Sequence, residues 1–160
     1  DKGARLFSSL LSLPDEAGDL WKVIDKAGSF LIHEEKYEEG LELYQGAVER
    51  FRQRAALYQG LGCCAGHQVF SEKSIEASRM ALGLEPENQK LINDLGWSLL
   101  EAGRLKEAEE VLLKAVAIDP SDELARENLR LCKSARTNHS PGEPSASADS
   151  GLLRYTKPNR

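Results

Sequence analysis

The sequence predicts an all-α protein made of stacked antiparallel helix hairpins, and an internal repeat is the main evidence. Two sets of small residues recur every 34 positions: Gly28, Gly62 and Gly96, and Ala47, Ala81 and Ala115. A fixed period of this length is typical of stacked helical hairpins. Glycine within a helix costs about 1 kcal/mol relative to alanine. Three glycines at one position of a helical pattern therefore indicate a point where another helix approaches closely.

Alignment on the glycines divides the chain into three units, 21–54, 55–88 and 89–122. In the first half of each unit, apolar or small residues stand at positions four, seven, eight and eleven, which is helical spacing. The second half carries a column of small residues and then a column of mixed size: Gly40, Ser74 and Ala108, followed by Tyr44, Ser78 and Leu112. Pro86 and Pro120 end the second and third units, because proline cannot continue a helix. Each unit is thus predicted to be one hairpin of two helices.

The third unit closely resembles the tetratricopeptide repeat family, most clearly in the stretch LGWSLLEAGRLKEAEEVLLKAVAIDP. The second unit departs from the family pattern at Ser74 and Ser78, where alanine and an aromatic residue are usual, and the first unit has Arg52 where proline is usual. The resemblance extends over residues 20–135 and implies a right-handed superhelical stack of hairpins, with a concave groove lined by the first helices. Because the residues that carry it are packing residues, it indicates a fold rather than a specific function.

The two ends of the repeats are expected to be covered. Segment 1–20 contains Ala4–Leu13, which predicts a short amphipathic helix that covers the first hairpin or serves as a handle for a partner. Residues 121–134 predict a capping helix at the other end. Three of its side chains are expected to cover the last hairpin: Leu124, Leu129 and Cys132. The domain of three units and cap is therefore predicted to span 21–135.

The remaining residues, 136–160, form a tail of different composition. Its first part, 136–150, is rich in Ser and Pro and is typical of a flexible linker. Its last part, 151–160, reads GLLRYTKPNR and regains aliphatic, aromatic and basic residues. This end is expected to be either a disordered terminus or a motif that docks on the chain's own groove or on a partner. Four residues would make the contact: Leu152, Leu153, Arg154 and Tyr155.

Composition narrows the classes of function. The net charge of −5 disfavours nucleic acid as a partner. No apolar run approaches the ~18 residues that a membrane-spanning helix needs. Cys63, Cys64 and Cys132 do not form a disulfide framework, so reduced thiols in a cytoplasmic protein are expected.

The family's geometry implies which residues line the groove, because positions two, five, six, nine, twelve and thirteen of each unit face it. The candidate partner-binding residues are Lys22, Asp25, Lys26, Ser29, His33, Gln59, Cys63, His67, Lys90, Asn93, Asp94, Trp97 and Glu101. Trp97 is the one large aromatic residue among them and lies outside the apolar stripe. Its ring is expected to face the groove and to anchor a partner. The alternative is that it packs on neighbouring helix residues.

Some tetratricopeptide co-chaperones grip the C-terminal carboxylate of heat-shock chaperones with basic and amide side chains at fixed groove positions. In this chain, those positions hold Asp25, Ser29, Gly60, Lys90 and Asp94. Only Lys90 matches, and the two aspartates would repel a carboxylate. This function is therefore not expected.

Neither a metal site nor a catalytic site is predicted. His33 and His67 occupy the same position in neighbouring units, and Cys63 lies one turn before His67. Stacked hairpins separate equivalent side chains by about 10 Å, which is too far to share an ion without adjustment. No third residue is placed to orient Cys63 and His67 as a nucleophile and its base. We therefore predict no cofactor and no enzymatic activity.

The sequence favours a non-enzymatic adaptor or scaffold that binds a peptide or helical segment of another protein in the concave groove. Two alternatives remain open. One is a dedicated chaperone, similar to the class II chaperones of type III secretion. Segment Tyr58–His67 of this chain loosely resembles the second repeat of those chaperones. The other is a structural subunit of a larger complex, with Leu152–Arg160 as the contact.

Overall fold

The computed structural model describes residue 7, residues 9–16 and residues 18–138. Seven full helices follow one another in this part of the chain: α1 Leu20–His33, α2 Tyr37–Arg50, α3 Ala55–His67, α4 Ser71–Leu84, α5 Gln89–Glu101, α6 Leu105–Ile118 and α7 Glu123–Asn138. The described residues contain no strand, and the predicted all-α class is confirmed. The predicted tail contacts beyond Asn138 lie outside the described residues, and the domain boundaries stay a prediction.

The helices form two layers. Within each unit the two helices pack as a hairpin: α1 with α2, α3 with α4, and α5 with α6. Each first helix also contacts the first helix of the next unit, so that α1, α3, α5 and α7 form a continuous inner layer. Over the described residues, α2, α4 and α6 do not contact one another. Because the inner helices lie closer together than the outer ones, the stack curves and its concave face lies on α1, α3 and α5.

The same backbone turn joins the two helices of every hairpin. Its residue at position fifteen has a left-handed φ in all three units: Glu35 at 57°, Val69 at 63° and Gly103 at 72°. The amide of the next residue donates to a carbonyl of the first helix, as Arg104 does to Leu99 at 2.9 Å. This is the hydrogen bond of a Schellman motif, which ends a helix on a left-handed residue. Glycine adopts this conformation without cost, whereas Val69 is strained by its branched Cβ atom.

The repeated glycines lie where the two helices of a hairpin meet. A methyl group on Gly28 would lie 2.3 Å from the ring of Tyr44, and one on Gly96 would lie 2.5 Å from Leu112. The glycine of the second unit faces the smaller Ser78, where the contact would be 3.3 Å. The 34-residue period therefore reflects close helix packing, as the sequence predicts.

Buried serines stand where α4 meets α5, at the boundary between two apolar clusters. One cluster belongs to α1–α4 and the other to α4–α7. The Ser98 hydroxyl oxygen lies 2.9 Å from that of Ser74 and 3.2 Å from that of Ser78. Ser74 also donates to the Gly62 carbonyl at 2.9 Å. The departures of the second unit from the family pattern thus replace apolar contacts with hydrogen bonds.

The N-terminal residues that the structure describes pack on the first hairpin. Phe7, Leu10 and Leu11 contact the apolar cluster of α1–α4. Leu11 lies directly over Gly46 of α2, where a methyl group would approach its Cδ1 atom to 2.4 Å. Arg50 donates to the Leu11 carbonyl at 2.6 Å. These contacts agree with a covering segment at this end of the stack.

The last helix, α7, packs along the third hairpin. Leu129 and Cys132 are buried against it, as the sequence predicts. Leu124 is 41% exposed, so its predicted covering role is wrong. The reason is helical phase, because Ala125, one position later, occupies the buried face.

Candidate functional site

Most of the predicted groove residues lie exposed on the inner helices. The exposed ones are Lys22, Lys26, Ser29, His33, Gln59, Cys63, His67, Lys90 and Glu101, and the half-buried ones are Asp25, Asp94 and Trp97. Asn93 is the exception, since only 4% of its surface is exposed. The candidate groove is therefore defined by the first helices without Asn93.

Side chains at positions five and six connect neighbouring inner helices. Gln59 of α3 donates to Asp94 of α5, with 2.6 Å between Nε2 and Oδ2. Asn128 of α7 donates to Asn93 of α5, with 3.1 Å between Nδ2 and Oδ1. The second of these bonds explains the burial of Asn93, because α7 covers this end of the groove. The expected groove position of Asn93 is thus wrong.

The corresponding link between α1 and α3 has a different form. Gly60 stands where α3 should supply the side chain that meets Asp25, and the Tyr44 ring fills the space. The Tyr44 hydroxyl lies 3.2 Å from both the carbonyl and the Oδ1 atom of Asp25. Burial raises the pKa of Tyr44 well above its ordinary value, so the hydroxyl remains a donor. Burial also raises the pKa of Asp25, and the hydrogen bond from Tyr44 opposes that rise.

Trp97 and Glu101 form a pair on the groove side of α5. Trp97 is half-buried and packs on the apolar cluster of α4–α7, and its role as a groove anchor stays a prediction. Its indole donates to the Glu101 carboxylate, which lies beside Gly66 of α3. Burial of that carboxylate raises the pKa of Glu101, and the Trp97 hydrogen bond opposes the rise. The result is an aromatic face next to a partly desolvated carboxylate.

The histidines of the groove have separate neighbours. His67 stacks on Tyr37 with ring centroids 4.0 Å apart. The Nδ1 atom of His33 lies 3.2 Å from a Glu34 carboxylate oxygen. Across residues 7, 9–16 and 18–138, no three His, Cys, Asp or Glu side chains are grouped as metal ligands would be.

The adjacent cysteines differ in exposure. Cys63 is exposed on the groove, whereas Cys64 is fully buried. Burial raises the pKa of the Cys64 thiol to about 12. Only the Cys63 thiol is therefore accessible to reagents in the groove.

Sequence reasoning did not identify Tyr44 and Tyr37 as neighbours of the groove. Both belong to α2, in the outer layer, yet Tyr44 reaches Asp25 and Tyr37 stacks on His67. The available signal was Gly60, a glycine outside the repeated glycine column that leaves room for a ring.

A second surface lies at the N-terminal edge of the stack. Val23 and Phe30 of α1 are 50% and 54% exposed. At the same positions of the second unit, Leu57 and Cys64 are completely buried. The first hairpin thus presents apolar side chains of the kind that an adjoining helix covers in the next unit.

Within the described residues, every helix is too short or too polar to cross a bilayer. The sequence of residues 73–130 matches the family model described as "Tetratricopeptide repeat". This part of the chain is tetratricopeptide repeat sequence. The repeats of the chain are similar in sequence to the small glutamine-rich tetratricopeptide repeat-containing protein 2 of Mycosarcoma maydis, with 29% identity over 99 residues. This match covers 62% of the chain and 26% of the relative, so the chain spans about a quarter of that protein's length.

Solved tetratricopeptide structures share the fold. The first tetratricopeptide domain of Spaghetti (RPAP3), bound to the HSP90 peptide SRMEEVD, has a TM-score of 0.68 and 16% identity, covering 73% of this chain and 93% of that one. The Yersinia enterocolitica type III secretion chaperone SycD, in complex with a peptide of the translocator YopD, has a TM-score of 0.65 and 17% identity, covering 74% and 95%. At these identities the likeness establishes the tetratricopeptide fold alone.

Proposed function

We propose that the chain is a non-enzymatic interaction module that binds a segment of another protein in its concave groove. The supporting observation is the row of side chains at positions nine and thirteen, which project from the inner layer. These are Ser29, Cys63 and Trp97, and His33, His67 and Glu101; all but Trp97 are exposed. Exposed side chains on rigid helices around a half-buried aromatic ring match the composition of an interface with a central anchor.

The charge of the groove favours one kind of segment. Lys22, which pairs with Asp19, and Lys26 place basic groups on α1, whereas Asp94 and Glu101 make part of α5 acidic. Asp25 and Asp94 lie at the floor of the groove, where they accept hydrogen bonds from Tyr44 and Gln59. A terminal carboxylate bound there would meet like charge. We therefore expect an internal segment with a basic side chain near Trp97, rather than an acidic C-terminus.

Selection from a phage-displayed random peptide library on the immobilised full chain tests this function. Selected peptides are then measured by fluorescence anisotropy against wild type and Cys63→Arg, which places a bulky cation in the middle of the groove. We expect Cys63→Arg to weaken binding at least about tenfold, or 1.4 kcal/mol. Glu110→Arg, an exposed residue of the outer helix α6, is the matched control and is expected to bind normally.

The acidic peptide SRMEEVD is a second probe. It is bound by the similar Spaghetti domain, and this chain is expected not to bind it. Selected peptides that bind Cys63→Arg as tightly as wild type would place the interaction elsewhere. Groove-dependent binding of SRMEEVD would instead support the co-chaperone type of recognition.

A structural subunit is the second candidate, and the exposed Val23 and Phe30 favour it. Phe30→Glu is expected to lower the mass of the complex in which the natively expressed protein sediments. Leu113→Glu changes a residue of α6 that is 46% exposed, and it serves as control. An unchanged mass for both variants would remove this candidate.

A further inference from the structure

The groove side of α5 carries an acidic and aromatic stripe. Asp94, Trp97 and Glu101 are spaced three and four residues apart, so they share one face of the helix. The Glu101 carboxylate accepts the Trp97 indole N–H and lies beside Gly66. Of the ion pairs formed within residues 7, 9–16 and 18–138, none includes Glu101. A carboxylate beside an aromatic ring suits a guanidinium or ammonium group.

The chain leaves α7 close to this stripe. Cys132 of α7 donates to the carbonyl of Leu105, which follows Glu101 by four residues, with 3.3 Å between sulfur and oxygen. Arg136 pairs with Glu109, which lies one turn after Leu105 in α6. Because a helix rises about 1.5 Å per residue, Asn138 lies about 9 Å beyond Cys132 along α7. The last described residue is therefore at the Glu101 end of α5.

The C-terminal segment has the complementary charge. Residues 151–160 contain three basic side chains and no acidic one, which leaves a net charge of −8 on the other 150 residues out of the total of −5. Twelve residues, 139–150, connect Asn138 to this segment. A flexible linker of that length spans about 20 Å, so the segment can reach the stripe.

The spacing of the charges also matches. Arg154 and Lys157 are three residues apart, which is about 10 Å in an extended chain. Asp94 and Glu101 are seven residues apart on α5, which is about 10.5 Å along a helix. A segment that arrives at the Glu101 end and runs toward the start of α5 meets Glu101 with its first cation and Asp94 with its second.

We propose that residues 151–160 dock in the groove of their own chain, antiparallel to α5, with Arg154 at Glu101 and Trp97 and with Lys157 at Asp94. The docked segment covers the part of the groove next to Cys63 and competes with any other peptide there. The docking rests on the charges and spacings above. Its competitive effect rests in addition on the proposed function.

Cys63 provides a built-in probe of this contact. It is exposed on the groove at the same repeat position as Trp97, whereas Cys64 and Cys132 are buried. Rates of labelling by a thiol reagent therefore report how often the groove is covered. A tethered segment with an effective concentration of about 1 mM and a Kd of about 0.1 mM would be docked about 90% of the time, which slows labelling about tenfold.

The test compares full-length variants that retain the wild-type circular dichroism spectrum. Arg154→Glu and Glu101→Arg are each expected to raise the Cys63 labelling rate about tenfold, because each places like charges together. The double variant Arg154→Glu with Glu101→Arg is expected to restore slow labelling. Lys133→Glu, the same charge change on an exposed position of α7, is expected to leave the rate unchanged. Raising the salt concentration to about 0.5 M should narrow the differences in labelling rate between the variants, since salt screens exposed charges.

Equal labelling rates in wild type and Arg154→Glu would overturn the docking. A double variant that labels fast would overturn the pairing of Arg154 with Glu101. Slow labelling that depends on protein concentration would mean that a second copy supplies the segment, and would overturn the intramolecular contact. If Arg154→Glu has no effect while selected library peptides still bind, tail docking alone fails. If it speeds labelling while no library peptide binds the groove of the Arg154→Glu variant, in which the tail no longer competes, the proposed function alone fails.

Discussion

The ring of Tyr44 occupies the space of the side chain that Gly60 lacks. A methyl group on Gly60 would lie 2.1 Å from the Tyr44 Cζ atom. The opposite side of the ring faces Gly28, at 2.3 Å from a methyl group there. Held between two glycines, the ring carries its hydroxyl to Asp25 at the floor of the groove. A residue of the outer layer thus fixes the inner face of the first two units.

Gly60→Ala is expected to lower the free energy of unfolding by about 1–2 kcal/mol. The added methyl overpacks a buried ring, which costs about 1–3 kcal/mol, and the better helix propensity of alanine recovers part of that loss. Urea denaturation followed by circular dichroism measures the change. The double variant with Tyr44→Ala should lose less than the sum of the two single variants, because the clash is then absent.

Gly83→Ala is the matched control for this substitution. Gly83 lies in α4 with no atom within 4 Å of the methyl position. Alanine there is expected to stabilise the protein by about 0.5–1 kcal/mol. Equal effects at both positions would mean that the Tyr44 ring does not need the space above Gly60.

The sequence predicted the helices because packing residues recur with the repeat. The spacing of Gly28 and Gly96 set the phase of every first helix, and with it the buried positions of Ile24 and Leu31. The groove was less predictable, because the exposure of a groove position depends on the next helix as well as on its own. Asn93 is buried only because α7 supplies Asn128. The buried face of α7 was harder still to predict, since this helix follows the last repeat and contains no repeated glycine.

Ser98→Ala is expected to lower the free energy of unfolding by about 1–3 kcal/mol. It removes the hydrogen-bond partner of the buried Ser78 hydroxyl, and an unsatisfied buried group costs about that much. Alanine at Ser74, Ser78 and Ser98 together removes all three hydroxyls. That triple variant should lie within about 1 kcal/mol of wild type in the same urea denaturation. A triple variant that loses more stability than Ser98→Ala would show that the hydroxyls stabilise the contact between α4 and α5 by more than satisfying one another.

Val69→Gly is expected to stabilise the protein by about 1 kcal/mol. A left-handed conformation costs an L-residue about 1–2 kcal/mol, and glycine avoids most of it. Little packing is lost, because Val69 is 72% exposed. Gly103→Val makes the reverse change at the same turn of the third unit and is expected to destabilise. Thermal unfolding of both variants measures the two effects, and shifts of the same sign would contradict the strain at Val69.

Asp25→Asn is expected to raise stability relative to wild type increasingly as the pH rises from 3 to 7. Burial raises the pKa of Asp25, so the folded state binds its proton more tightly than the unfolded state does. Its stabilising contribution is complete below the ordinary pKa of 3.8 and is lost as the pH rises through the folded value. Asparagine does not titrate and keeps an oxygen that accepts the Tyr44 hydroxyl.

Asp119→Asn is the control of opposite sign for this titration. Hydrogen bonds from Ser121 lower the pKa of Asp119, so its ionised form stabilises the folded state above pH 3.8. That variant is expected to be less stable than wild type at pH 7 and to approach it as the pH falls. Urea denaturation at intervals between pH 3 and pH 7 gives both curves. If the difference for Asp25→Asn shrinks as the pH rises, the Asp25 carboxylate is stabilised in the fold, and its partial burial is not what governs its titration.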